Sequence, residues 1–187
     1  MYARGYKRLF WGMLFIIFDI NLGSINIMPD FIGYIFIYSG LNVLVSQHKG
    51  YEKAKVPAVT LILLTLKDVV YNSNNNILSG QVYSLGLITI VSATVVTIIK
   101  LYLIYVLCET IYEICKERGL NELMESARGS CKFYSVISLL YMVYYPLSIN
   151  LHLDLKIIII FILVIIQIIA SISVASLLNK CKVKLEI

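Results

Sequence analysis

The chain has 187 residues, of which 59% are hydrophobic, with a mean hydropathy of +0.84 and a formal net charge of +5. Soluble domains average about 45–50% apolar residues, and a chain of this length cannot cover the excess with its own polar groups, so lipid has to cover it. That sets aside a soluble domain. It also sets aside a nucleic-acid binder, because the positive charges flank apolar runs, where loop anchoring and attraction to anionic headgroups account for them.

In chain order, a basic stub of Arg4, Lys7 and Arg8 precedes the apolar run from Leu9 to Phe18. Asp19 follows it and no A-x-A-like cleavage site does, so the stretch reads as a retained first helix. Six spans are expected, at about 9–28, 31–46, 57–72, 82–108, 133–149 and 157–178. Pro29-Asp30 makes the turn between the first two, since Pro fixes φ and Asp suits the start of a helix. Spans two and three are short for a hydrocarbon core that needs about 20 residues. The first three could instead contain a re-entrant pair.

The charges set the orientation. Arg4, Lys7 and Arg8 stand at the start; Lys49, Lys53 and Lys55 in the second connection; Lys116, Arg118, Arg128 and Lys132 in the fourth; Lys180, Lys182 and Lys184 in the tail. The intervening connections carry only Lys156. Cytoplasmic loops retain Lys and Arg, so both termini are expected inside. The fold class is thus an all-α polytopic transmembrane bundle of about six spans, one domain over 1–187. The wealth of Ile, Asn, Lys and Tyr is a codon signature of an AT-rich genome and suggests a bacterial plasma membrane.

Ionisable residues within spans are the default functional candidates, because each costs about 2.5–3.5 kcal/mol on insertion scales. Asp19 lies about 15 Å beyond Leu9 on a helix, near mid-membrane, or near the outer interface if the helix breaks at Asn21. Lys67 and Asp68 sit in the outer half of span three, with Tyr71 beyond them. Asp19 paired with Lys67 would be neutral, leaving Asp68 to face a polar cavity. These four are the expected ligand-binding residues, and a purely structural ion pair explains the same residues. Lys100 is 18 residues into span four and is expected to snorkel to cytoplasmic headgroups. Gln167 reads as interhelical glue.

The stretch 21–30 is the most polar and helix-breaking in its surroundings. It fits an extracellular turn or unwound backbone lining a transporter-like site. Gly33 and Gly40 share a face with Ile37 and would let a neighbouring helix approach closely. In the cytoplasmic segment 109–132, Ile111, Tyr112 and Ile114 extend span four, Gly119 is a C′ stop, and Asn121 is placed to cap a short helix bearing Leu123, Met124 and Ala127 on one side. That helix would lie on the membrane surface or dock a partner protein. Cys108, Cys115, Cys131 and Cys181 all fall on the reducing side. None forms C-x-x-C and both histidines are distant in sequence, so neither a metal nor a cofactor is expected. His152, beside Asp154, could titrate.

Size and span count are similar to those of two Gram-positive membrane families. Membrane cysteine proteases of quorum sensing need a His and a Cys close in sequence, and His48 has no such neighbour. Substrate-capture subunits of energy-coupling vitamin transporters carry a small-residue motif in the first span that is absent here. The D-G-x-x-A-R signature of phospholipid head-group transferases is missing too. The stretch Met28-Pro29-Asp30-Phe31-Ile32-Gly33-Tyr34 resembles uncharacterised small multi-pass membrane proteins of low-GC Gram-positive bacteria, a resemblance of one motif that implies no function. The expectation is a non-enzymatic solute-binding, transport or accessory subunit. The alternatives are a membrane-embedded enzyme acting on lipid or peptide, and a structural or immunity-type protein.

Overall fold

With apolar side chains along most of the sequence and few breakers, helices are the economical way to satisfy the backbone. The computed structural model describes residues 2–18, 21–22, 25–26, 29–66 and 87–185. Among these, the order is α1 (Tyr2–Ile17), β1 (Asn21–Leu22), β2 (Ile25–Asn26), α2 (Asp30–Leu44), the single turn α3 (Gly50–Lys53), α4 (Lys55–Thr65), α5 (Leu87–Glu117), α6 (Asn121–Leu147) and α7 (Leu153–Lys184). The architecture is all-helical apart from β1 and β2, which pair antiparallel with Asn21 opposite Asn26 and Leu22 opposite Ile25. α1 packs on α2, α2 on α4, α4 on α5, α5 on α6 and α6 on α7, and α7 returns to α1. Six helices therefore close a ring in sequence order.

The first helix differs from the expected span. It takes in the basic stub from Tyr2 and stops at Ile17, because the following Asn, Gly and Ser residues favour turns over helix. Pro29 is the residue before α2, in extended conformation, and Asp30 opens the helix without a side-chain cap bond. An acid in that first turn is favourable against the helix dipole. α5 ends as expected: Gly119 adopts φ 69°, and its amide and that of Leu120 donate to the carbonyls of Lys116 and Cys115 at 3.3 and 2.9 Å. This is the Schellman stop.

Past Gly119 the expected short surface helix is not a separate element. α6 runs unbroken for 27 residues, with Asn121 as its first helical residue and not its cap. Leu123 and Ala127 are buried in the common core beside Ile111 and Ile114 of α5. Lys184 donates to Glu122 at 2.6 Å, tying the end of α7 to the start of α6, and Arg128 lies 5.5 Å over the Tyr112 ring. The amphipathic face of 109–132 is turned into the bundle because α5 and α7 offer it more apolar surface than a bilayer interface would.

Packing is tightest between α1 and α2. Gly5 faces Gly40 and Gly12 faces Gly33 in antiparallel register. A Cβ on Gly12 would stand 2.6 Å from the Gly33 carbonyl oxygen, and one on Gly40 would stand 2.8 Å from that of Gly5. The backbones touch, which only glycine permits. Near these pairs the Tyr6 hydroxyl donates to Gln47 Oε1 at 2.9 Å and receives the Tyr51 hydroxyl at 2.9 Å, while Gln47 Nε2 donates to the Leu185 carbonyl at 3.3 Å. The start of α1, the end of α7 and the turns after α2 and α5 thus gather at one end of the bundle.

The far halves of α5 and α7 contrast with this. Both helices are long and apolar enough to cross a membrane, yet only 28% and 17% of their apolar windows are buried. Ile88, Val91, Val95, Ile98, Tyr102 and Tyr105 form an exposed stripe along α5 at alternating steps of three and four residues.

Candidate functional site

Inside the ring, where α1 ends and α2 begins, Lys100 Nζ donates to Asp30 Oδ2 at 2.9 Å. The same ammonium lies 5.8 Å from the centroid of the buried Tyr34 ring, near enough for a cation–π contact. Helix geometry brings this about. Asp30 opens α2 at the level of mid-α5, so it meets a lysine 13 residues beyond Leu87, and Tyr34, one turn on from Asp30, shares its face. Lys100 therefore does not snorkel to headgroups as expected. A carboxylate within reach neutralises it at lower cost than stretching its stem along the helix.

Beside the pair is a cleft of about 260 Å³ lined by Ile16 and Ile17 of α1, Thr97 and Lys100 of α5, Tyr134, Ser138, Tyr141 and Tyr145 of α6, and Gln167, Ile168 and Ser171 of α7. Tyr134, Ser138, Tyr141 and Tyr145 recur at helical spacing, so one face of α6 supplies most of the polar wall. The Tyr141 and Tyr145 rings lie 5.9 Å apart with their planes tilted by 46°. Of the other groups, the Thr97 hydroxyl is committed to the Ala93 carbonyl at 2.8 Å. The Gln167 amide is within hydrogen-bonding reach of the Tyr134 hydroxyl. Its Oε1 is buried and has no hydrogen-bond partner among the described residues. Gln167 is thus glue at one end only. A smaller void of about 20 Å³ between Tyr34, Lys100, Tyr134 and Ser171 continues the cleft towards the core and has the size of one water.

Of the expected ligand-binding residues, Asp19, Lys67, Asp68 and Tyr71 all lie outside the described residues. The polar site that the structure does describe is made of residues given other roles by sequence: Asp30 as a turn residue, Lys100 as a snorkelling cation, Gln167 as glue. One signal could have found it. A lone charge in each of two apolar runs implies a partner, and Asp30 and Lys100 are such a pair.

The four cysteines gather near the end that holds the start of α1 and the end of α7, and none is in a disulfide. Cys108, Cys115 and Cys181 are buried, whereas Cys131 is half-buried. A hydrogen bond from the Cys108 thiol, against some cost of burial, brings the Cys131 thiol down to about 7; burial pushes Cys115 up. Among the described residues no three of His, Cys, Asp and Glu come together as a metal-binding set.

Compared with known proteins, the chain matches no protein family, no curated sequence and no solved structure.

Proposed function

We propose that this chain is a multi-pass plasma-membrane protein with six membrane segments and both termini cytoplasmic, which holds a small solute in the cleft as a transport or accessory subunit. One observation carries this reading: a polar cleft lies midway along helices whose outward faces are apolar. Water does not tolerate a stripe such as that on α5, and lipid does. At 1.5 Å per residue α5, α6 and α7 run about 46, 40 and 48 Å, more than a hydrocarbon core of about 30 Å. The surplus fits projection on the side of Lys116, Lys132 and Lys180. The parity of the topology is the same whether the α1–α2 pair passes through the bilayer or turns back within it.

A polar cleft at that depth is costly unless it has a use, which is why solute sites in membrane proteins are built from such groups. The charged ridge left exposed on 109–132, with Glu113, Lys116, Glu117 and Glu125, is what a cytoplasmic partner protein would meet.

Two measurements test this reading. In intact cells an impermeant maleimide should label Asn150→Cys and should reach Lys53→Cys only after permeabilisation; the reverse would overturn the topology. Native mass spectrometry from nanodiscs should show a small non-lipid adduct that Thr97→Trp, which fills the cleft, removes. An adduct unaffected by that substitution would overturn the cleft as the site.

A further inference from the structure

The geometry points to the chemical class of the solute: a neutral, flat molecule with a hydrogen-bond donor on its edge, read by the Gln167 amide. This rests on the cleft being the solute site.

Charge comes first. Lys100 is the one cationic or acidic side chain among the described lining residues, and Asp30 holds its ammonium at 2.9 Å. An anionic solute would have to break that pair, and a cationic one would find no carboxylate among the described lining residues. Pulling Lys100 from Asp30 would leave a carboxylate unpartnered inside the bundle, a cost that a neutral guest avoids. Neutrality follows.

Shape comes second. Tyr134, Tyr141 and Tyr145 lie on one face of α6 and share the lining with Ile168 of α7. Three rings in one lining favour a flat guest, which gains offset or edge contacts with them.

The donor comes third. Gln167 Oε1 is buried with no hydrogen-bond partner among the described residues. An amide oxygen so placed forfeits a hydrogen bond until a donor reaches it. The terminal torsion of glutamine is broad and soft, so the amide can turn its oxygen into the cleft when a guest supplies an N–H or O–H. Ser138 and Ser171 lie in the same lining and suit a second polar point on the guest. Gln167 is thereby a specificity-determining residue.

Three probes separate the possibilities by their shift of thermal unfolding in nanodiscs. 2-Pyridone is neutral and flat with one ring N–H, 1-methyl-2-pyridone lacks that donor, and benzoate carries a negative charge. The expectation is that 2-pyridone stabilises the protein, its N-methyl derivative needs roughly five- to tenfold more for the same shift, and benzoate has no effect. Gln167→Met should remove the preference between the two pyridones while leaving weak binding of both, and Thr97→Trp should abolish both. Equal binding of the two pyridones by the unsubstituted protein would overturn the donor inference and leave the cleft as a solute site. Preference for benzoate would overturn neutrality. No shift with any of the three would overturn the inference and the solute-binding reading together.

Discussion

The two ends of this bundle solve the packing of helices in opposite ways. At the end that gathers the start of α1 and the end of α7, glycines let α1 and α2 approach until backbone meets backbone, and the Tyr6–Tyr51–Gln47 bonds lock the connections around them. Around the cleft, the α6 face is built from Tyr134, Ser138, Tyr141 and Tyr145, whose side chains line a space of about 260 Å³ between α1, α5, α6 and α7. Small residues close a bundle; large polar ones open it. Asp30–Lys100 sits at the border, ending the closed part and forming the floor of the open part.

The border should give the largest effect. Lys100→Met leaves the Asp30 carboxylate without its partner inside the ring. The expected loss is about 3 kcal/mol, the low end for a buried pair because both side chains retain some exposure. Adding Asp30→Asn should recover most of it, giving the coupling expected of a direct pair. Unfolding of the three variants in micelles measures this, and strictly additive losses would mean that the pair contributes nothing. The closed end comes next. Gly12→Ala puts a methyl group 2.6 Å from a backbone oxygen that cannot move aside, for a loss of about 1–3 kcal/mol. Gly129 of α6 has nothing within 4 Å of a built Cβ, so Gly129→Ala should gain about 0.5–1 kcal/mol from helix propensity. Equal effects of the two substitutions would mean that the backbone contact between α1 and α2 contributes nothing.

How far these regions were legible in the sequence follows from the range of the signals. Gly33 and Gly40 announce a close approach by their seven-residue spacing, and Gly119 announces its stop by local chemistry alone. Gly5 and Gly12 carry the same spacing on α1, and only the fold shows them to be the complement. Asp30 and Lys100 are 70 residues apart, so no local pattern joins them, and Lys100 alone is indistinguishable from a snorkelling lysine. The helical continuation through 121–132 was hidden for a related reason. An amphipathic face looks alike whether it meets lipid headgroups or α5 and α7.

The smallest expected effect concerns Cys131, at the edge of the closed end. Its thiol is brought down to about 7 by the hydrogen bond from Cys108, so the thiolate predominates above that pH and is lost below it. Since thiolate is the reactive form, the rate of alkylation by iodoacetamide should rise through about pH 7 and then level off. Cys115, pushed up by burial, should lag. Cys108→Ala should move the Cys131 midpoint back up towards the ordinary thiol range. An unmoved midpoint would remove the thiol–thiol contact from the account.

The central claim is that polar groups at mid-bundle face a water-accessible cleft while their immediate neighbours face lipid. Thr97 lines the cleft and Ile98, the next residue, is exposed on the apolar stripe. The two lie at nearly the same depth on one helix. With Cys131 replaced by Ser, Thr97→Cys and Ile98→Cys can be compared with a small, membrane-impermeant methanethiosulfonate applied outside intact cells. Thiolate forms in water and not in hydrocarbon, so Thr97→Cys should react and Ile98→Cys should not. Equal reaction at both positions, or reaction at Ile98→Cys alone, would contradict the account.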